Sequence, residues 1–188
     1  KTACVVLCAL AAWAVGVEAQ APAKPAAAKP KIGIYDSRAV AMAWSLSQAC
    51  QDTEVRKAHE LEAAVKQARA GNDAKRTAAA EAALERYVRT VAIPRHKQVF
   101  STAPVDDVLA HIKDRMSAIA RAAGVETIVC KWDRKALAKH ASAERVDVTM
   151  EMVRAFSLSD EQVKAAAGIL DKDPIPLEQA EKMDWSKE

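Results

Sequence analysis

The feature that most limits how this chain can fold is an apolar stripe at helical spacing that stops once and then resumes. In EVRKAHELEAAVKQARA, Val55, Ala58, Leu61, Val65 and Ala68 recur at three- and four-residue steps. Ala70-Gly71-Asn72-Asp73 then stops the helix, because Gly71 suits a left-handed cap and Asn72 or Asp73 suits the next N-cap. A matching stripe of Ala80, Leu84, Tyr87, Val88 and Val91 follows over about 74–92. Two helices joined by so short a turn lie antiparallel. The sequence therefore predicts a helical hairpin, about 50–93, with a narrow coiled-coil seam. Alanine supplies 42 of the 188 residues, so the arms approach closely but bury little area, and the tip is the expected weak point.

Strand signals stand on both sides of the hairpin. Ile32-Gly33-Ile34-Tyr35 ends at Asp36-Ser37, a turn or helix-cap pair, and a helix then runs from about Arg38 with Val40, Ala43, Trp44 and Ser47 on one side. Pro94 removes a donor and biases Ile93 away from helix, so the returning arm is expected to break there into an irregular RHKQVFSTA. Val105, Val108, Leu109, Ile112, Met116, Ile119, Ala120 and Ala123 form the widest amphipathic stripe, which ends at Gly124. Val125 to Cys130 is the strongest strand signal, and Val146-Asp147-Val148 is a short third one. A helix from Met150 to Phe156 follows, then another whose Ser159 and Gln162 have capping-box spacing. The expected fold is α+β: a small β-sheet body with an inserted antiparallel α-helical hairpin and C-terminal helices. Ile32, Ile34, Ile128 and Val148 are the expected body core, with Ile112 and Ile119 packed against it. So few large side chains and open edge strands imply a homo-oligomer.

The first residues read as a targeting segment. Lys1 precedes an uncharged apolar run from Ala3 to Val17, short for a membrane span and right for a secretory signal peptide over 1–19, cut after Val17-Glu18-Ala19. Residues 20–31, QAPAKPAAAKPK, form a proline- and lysine-rich linker with at most weak attraction for an anionic membrane. The domain proper is 32–168, followed by an acidic tail over 169–188 that carries Trp185. Removing 1–19 leaves Cys50 and Cys130, which either close one disulfide in an oxidising compartment or stand as buried apolar thiols.

No constellation for catalysis appears. His59, His96, His111 and His140 stand apart, no HExxH or CxxC occurs, and no glycine-rich phosphate loop or nucleophile elbow is present. The reading is accordingly not an enzyme, with no metal and no cofactor. Tyr35-Asp36-Ser37-Arg38 places polar groups just after a strand, where α/β sites lie, but Asp36 and Ser37 more simply cap the following helix. Asp147 suits the same role at the next strand-to-helix junction. Charge says more: between Asp52 and Lys97 ten basic residues face seven acidic ones, a balance that attracts anionic surfaces or acidic clients. Export weighs against a nucleic-acid partner.

Three stretches carry a resemblance. KIGIYDSRAV after an export signal, AIARAAGVETIVCKWD, and VDVTMEMVRAF resemble in their order the opening and closing patterns of the Skp/OmpH family of periplasmic chaperones, over roughly 31–156. The resemblance implies a β body that trimerises, with hairpins that hold unfolded outer-membrane proteins in the periplasm. This chain departs in its short hairpin, its Pro94 and its extra C-terminal tail. The expected function is an ATP-independent holdase for unfolded outer-membrane or envelope proteins. The alternative is an envelope structural or adaptor protein that pairs through the same hairpin. Expected client contacts are Val55, Leu61, Val65, Leu84, Val88 and Val91, beside the charges of Arg69, Lys75 and Arg76.

Overall fold

The computed structural model describes residues 29–185. The expected signal peptide and most of the linker lie outside the described residues. The fold is mixed α+β, a small sheet surrounded by helices. Three strands, β1 (Lys31–Tyr35), β2 (Thr127–Cys130) and β3 (Glu144–Asp147), form a parallel sheet in the order β2-β1-β3. The first strand is therefore central, with Ile34 opposite Val129 on one side and Asp147 on the other. Gly33 sits at the tightest point. A Cβ there would stand 3.1 Å from both Ile128 Cγ1 and Val148 Cγ2, so even an alanine would push those side chains back by a few tenths of an ångström.

Helix α1 (Ser37–Leu46) begins on Asp36, whose carboxylate accepts from the Arg38 N–H. Its residue spacing predicts one apolar side, but it is buried nearly all round. Val40, Ala41 and Trp44 join the main core with Ile112, Val148 and Met152, while Ala39 and Ala43 face Val153, Ala166 and Ile169 in a second cluster. The alanines let α9 (Thr149–Arg154) and α10 (Asp160–Ala167) approach its backbone closely. Of the expected body core, Ile32, Ile112, Ile119 and Val148 are buried, whereas Ile34 and Ile128 are half-buried.

Beyond Ser47 the chain turns into α2 (Gln48–Cys50), a π-helical turn (Gln51–Val55) and α3 (Arg56–Ala70). It returns through α4 (Ala74–Tyr87), a second π-helical turn (Val88–Ala92) and α5 (Ile93–Phe100). Helices α3 and α4 pack on each other and run antiparallel: Arg69, near the end of α3, meets Glu81 at 2.6 Å, and Tyr87, at the end of α4, reaches back to the Glu54 carbonyl.

Two local expectations are corrected. The left-handed residue at the tip is Asn72, with φ of 51°, while Gly71 stays right-handed; an asparagine tolerates that region and leaves Asp73 free to cap α4. The helix does not break at Pro94. The widened turn just before it relieves the clash between the proline ring and the preceding turn, so α5 continues to Phe100.

Past α6 (Asp106–Leu109), a 3-10 turn and α7 (Lys113–Ala123), Gly124 closes the stripe with φ of 65°. The polar stretch after Asp133 holds one further short helix, α8 (Arg134–Ala138), before β3. The capping box of Ser159 and Gln162 is formed as its spacing predicts. The described part of the acidic tail is not loose. After the 3-10 turn Gly168–Asp171, Ile175 bridges Ser101, α11 (Leu177–Ala180) follows, and Trp185 is buried with its Nε1 donating to the Ala180 carbonyl.

Candidate functional site

The base of the hairpin is organised around Glu54. Its carboxylate accepts from Arg95 Nη2 at 2.6 Å, Arg95 Nε at 3.2 Å and Trp44 Nε1 at 3.1 Å. Its carbonyl accepts from the Tyr87 hydroxyl at 2.6 Å. Arg95 goes on to Gln98 and to Asp107 Oδ2, and Gln98 Nε2 reaches Asp107 Oδ1 at 2.7 Å. One carboxylate thus ties the outgoing arm, the returning arm, α1 and α6 together. Burial alone would lower the Arg95 pKa, but the hydrogen bonds and charge of Glu54 outweigh it and the guanidinium is held above its ordinary value. Burial, then the charge of Glu54, raises Tyr87.

Both π-helical turns lie at this level. Thr53 donates its hydroxyl to the Ala49 carbonyl, which draws a side chain into the first of them, and Pro94 follows the second. π-helical turns recur at functional sites. Between them opens a cleft of about 400 Å³, lined by Met42, Val55, Ala58, Val91, Val99 and Phe100 together with Cys50, Glu54, Tyr87 and Arg95. Its volume falls in the range of ligand pockets, about 300–1,000 Å³. Ser45 spends its hydroxyl on the Ala41 carbonyl, and Glu54, Tyr87 and Arg95 are spent on one another. His96 and Ala92 complete the lining, and most of what the cleft offers an occupant is apolar contact. Phe100, at its edge, is one of two large apolar side chains that stand exposed among the described residues. Cys50 lies in the cleft with its thiol pushed up to about 11, first by burial and then by Glu54, so it is protonated at neutral pH and a poor nucleophile.

A second polar cluster lies at the C-terminal edge of the sheet. Asp36 is fully buried and pairs with Arg38 through two oxygens and with Lys131 Nζ at 2.6 Å. Thr149 Oγ1 accepts from the Asp36 N–H, and Arg38 Nη1 donates to the Lys172 carbonyl. Burial alone would raise the Asp36 carboxyl, but hydrogen bonds from Arg38 and Lys131 outweigh it and hold the group below its ordinary value. Strand order reverses at β1, where open parallel sheets bind ligands. Here Arg38 and Lys131 themselves occupy that position, and Trp132 lies against both cations. Asp147 likewise accepts from the Thr149 N–H at the start of α9.

The seam residues divide along the hairpin. Val65 and Ala68, toward the tip, are buried between the arms, while Val55, Leu61, Leu84, Val88 and Val91 are half-buried. Of these, Val55 and Val91 line the cleft. Arg69, Lys75 and Arg76 are exposed at the tip, with Arg69 engaged by Glu81. Cys50 and Cys130 are free thiols, so the disulfide considered from the sequence is not formed. Cys50 packs beside Glu54 on the hairpin arm and Cys130 ends β2, each within its own surroundings. His96 is half-buried against Phe100 and Trp185. His111 is stacked on Trp44 at 3.7 Å. Among the described residues no group of three or more His, Cys, Asp or Glu is placed to hold a metal ion. No helix among them is long and apolar enough to cross a membrane.

Glu54, Arg95, Met42 and Phe100 do not stand out in the sequence as site residues. The signal was present in part, since Cys50, Glu54 and Ala58 share one face at four-residue steps; the partner Arg95, 41 positions away, was not legible. No protein-family model, curated protein or solved structure matches the chain.

Proposed function

We propose that this chain is an exported, ATP-independent holdase that binds unfolded outer-membrane or envelope proteins in the periplasm, in the manner of the Skp/OmpH family. The observation that supports it is the cleft at the hairpin base, whose polar groups are already paired and whose remaining surface is aliphatic and aromatic. Such a surface takes apolar side chains without selecting their sequence, as a holdase requires. The basic balance of the hairpin adds attraction for acidic clients.

Light scattering of an unfolded β-barrel client tests this. Stoichiometric protein should suppress aggregation, and Ala92→Trp, which fills the cleft from its own lining, should remove most of the effect. No suppression by the unaltered protein would end the holdase reading.

The tail favours a second reading, an envelope adaptor with one fixed partner. Ile175 accepts from the Thr102 N–H and donates to the Phe100 carbonyl, so the tail is tied to the end of α5 beside the cleft, an embellishment a general holdase does not need. Pull-down from envelope extracts separates the two, since one stoichiometric partner marks an adaptor and many unfolded clients mark a holdase.

A further inference from the structure

A hollow of about 330 Å³ lies between α1, α7 and the loop after α9, and it shares no lining residue with the cleft. Trp44, Ile112 and Phe156 give it an apolar wall, and His111, Arg115 and Ser157 give it a polar one. No carboxylate lines it. The imidazole of His111 lies flat on the Trp44 indole, 3.7 Å between ring centroids and 12° between planes, which fixes its orientation.

Arg115 is the informative residue. Its Nη1 donates to the Ala155 carbonyl and to Ser157 Oγ, which pins one edge of the guanidinium. Among the described residues its Nε and Nη2 have no hydrogen-bond partner and no carboxylate pairs with it. Nε and Nη2 form the edge of an arginine that grips a carboxylate or phosphate with two parallel bonds. Because the other edge is tethered, less rotamer freedom is lost when that grip forms. Ser157, one of the tethers, stands at φ of 58°, a left-handed conformation that is strained for a non-glycine residue. Backbone strain of this kind concentrates at binding sites. Arg38 and Arg95, by contrast, spend their donors on internal acceptors.

We infer that this hollow binds a small oxyanion, with the Nε and Nη2 edge of Arg115 holding two of its oxygens, the His111 ring beside it, and the half-buried Phe156 against any apolar group that carries it. This site is independent of the holdase reading. A carboxylate and a phosphate share the chemistry, and separate probes distinguish them.

The test is an NMR titration of the full chain, following the Arg115 Nε–H and the His111 ring, with inorganic phosphate in one arm and N-acetylphenylalanine in the other. The amide of N-acetylphenylalanine serves as the uncharged control. Saturable shifts at both residues with at least one anion, and none with the amide, are expected. Phosphate alone would identify a phosphate site, and N-acetylphenylalanine alone a carboxylate site with an apolar neighbour. Arg115→Lys, which keeps the charge but loses the fork, should weaken binding about tenfold. Arg115 also tethers the loop after α9, so Gln48→Glu provides a variant that leaves the tether alone. It replaces an amide that donates to Asp52 Oδ1 with a carboxylate that Asp52 repels toward the pocket wall, and at a small local cost in stability it should also weaken binding about tenfold by repulsion. Shifts with neither anion, or equal binding by the unaltered protein and both variants, would overturn the inference.

Discussion

Asp36 is a buried carboxylate held between two cations. It is fully buried, with Arg38 almost as deep, and Lys131 closes the cluster from the turn just after β2. Removing the negative member would strand a buried guanidinium, so Asp36→Asn should cost about 3–5 kcal/mol, measured as a lower urea midpoint at neutral pH. An unchanged midpoint would show that the cluster contributes no net stability. Because the folded carboxyl lies below its ordinary value of 3.8, its contribution is complete above that pH and is lost as pH falls through the lower folded value. The unaltered protein should therefore lose stability on acidification, and the Asn variant should lose less of what it has left. Cys50 acts at the opposite end of the scale. Its folded value of about 11 lies above the ordinary 9.0, so the folded thiol keeps its proton in a window where the unfolded chain has lost it. That contribution is full below pH 9 and is lost as pH rises through about 11. Urea titrations across the window should show a shallower alkaline loss in Cys50→Ser, and an identical loss in both proteins would contradict the assignment.

At the scale of elements, the hairpin is held at its base rather than by its seam. The arms bury only Val65 and Ala68 from α3 and no residue from α4, whereas Glu54 and Arg95 connect both arms to α1 and α6. Glu54→Gln keeps the size and shape of the side chain but removes the charge that Arg95 needs, and should cost about 1.5–3 kcal/mol. Amide hydrogen exchange should show faster exchange across 56–87 than across the sheet. Uniform change over the whole chain, or none, would mean that the neck is not the tether. The hairpin itself was legible because one strong stop, Gly71-Asn72-Asp73, divides two periodic runs. The course past Pro94 was not, since the rule that proline ends a helix assumes ordinary turns, and the π-helical turn at Val88–Ala92 absorbs its ring. The polar run after Asp133 hid α8, a helix of five residues with too little apolar surface to show a period. The tail hid its docking for a different reason: Ile175 and Trp185 are anchors only in relation to α5 and α11, which a one-dimensional reading cannot bring beside them.

At the scale of the whole molecule, the sheet decides what association can do. Its order leaves β2 and β3 as edges. The β3 edge carries exposed Glu144, Arg145 and Asp147, the charges by which edge strands resist pairing. The β2 edge is different: Thr127 and Ile128 are half-buried beside a hollow of about 260 Å³ that Met116, Ser117 and Ala120 complete. One protected edge and one unprotected edge favour pairing of like edges about a two-fold axis, which makes a dimer; a trimer is the alternative. Both require contact through the body, and a holdase benefits from either because several clefts then act on one client. We therefore propose that the protein associates at micromolar concentration through β2. Light scattering coupled to size exclusion should return a mass of two or three chains, and Thr127→Lys, which sets a charge on that edge, should shift it to one. A mass of one chain for the unaltered protein would defeat the proposal, while an unchanged oligomer in the Lys variant would move the contact away from β2.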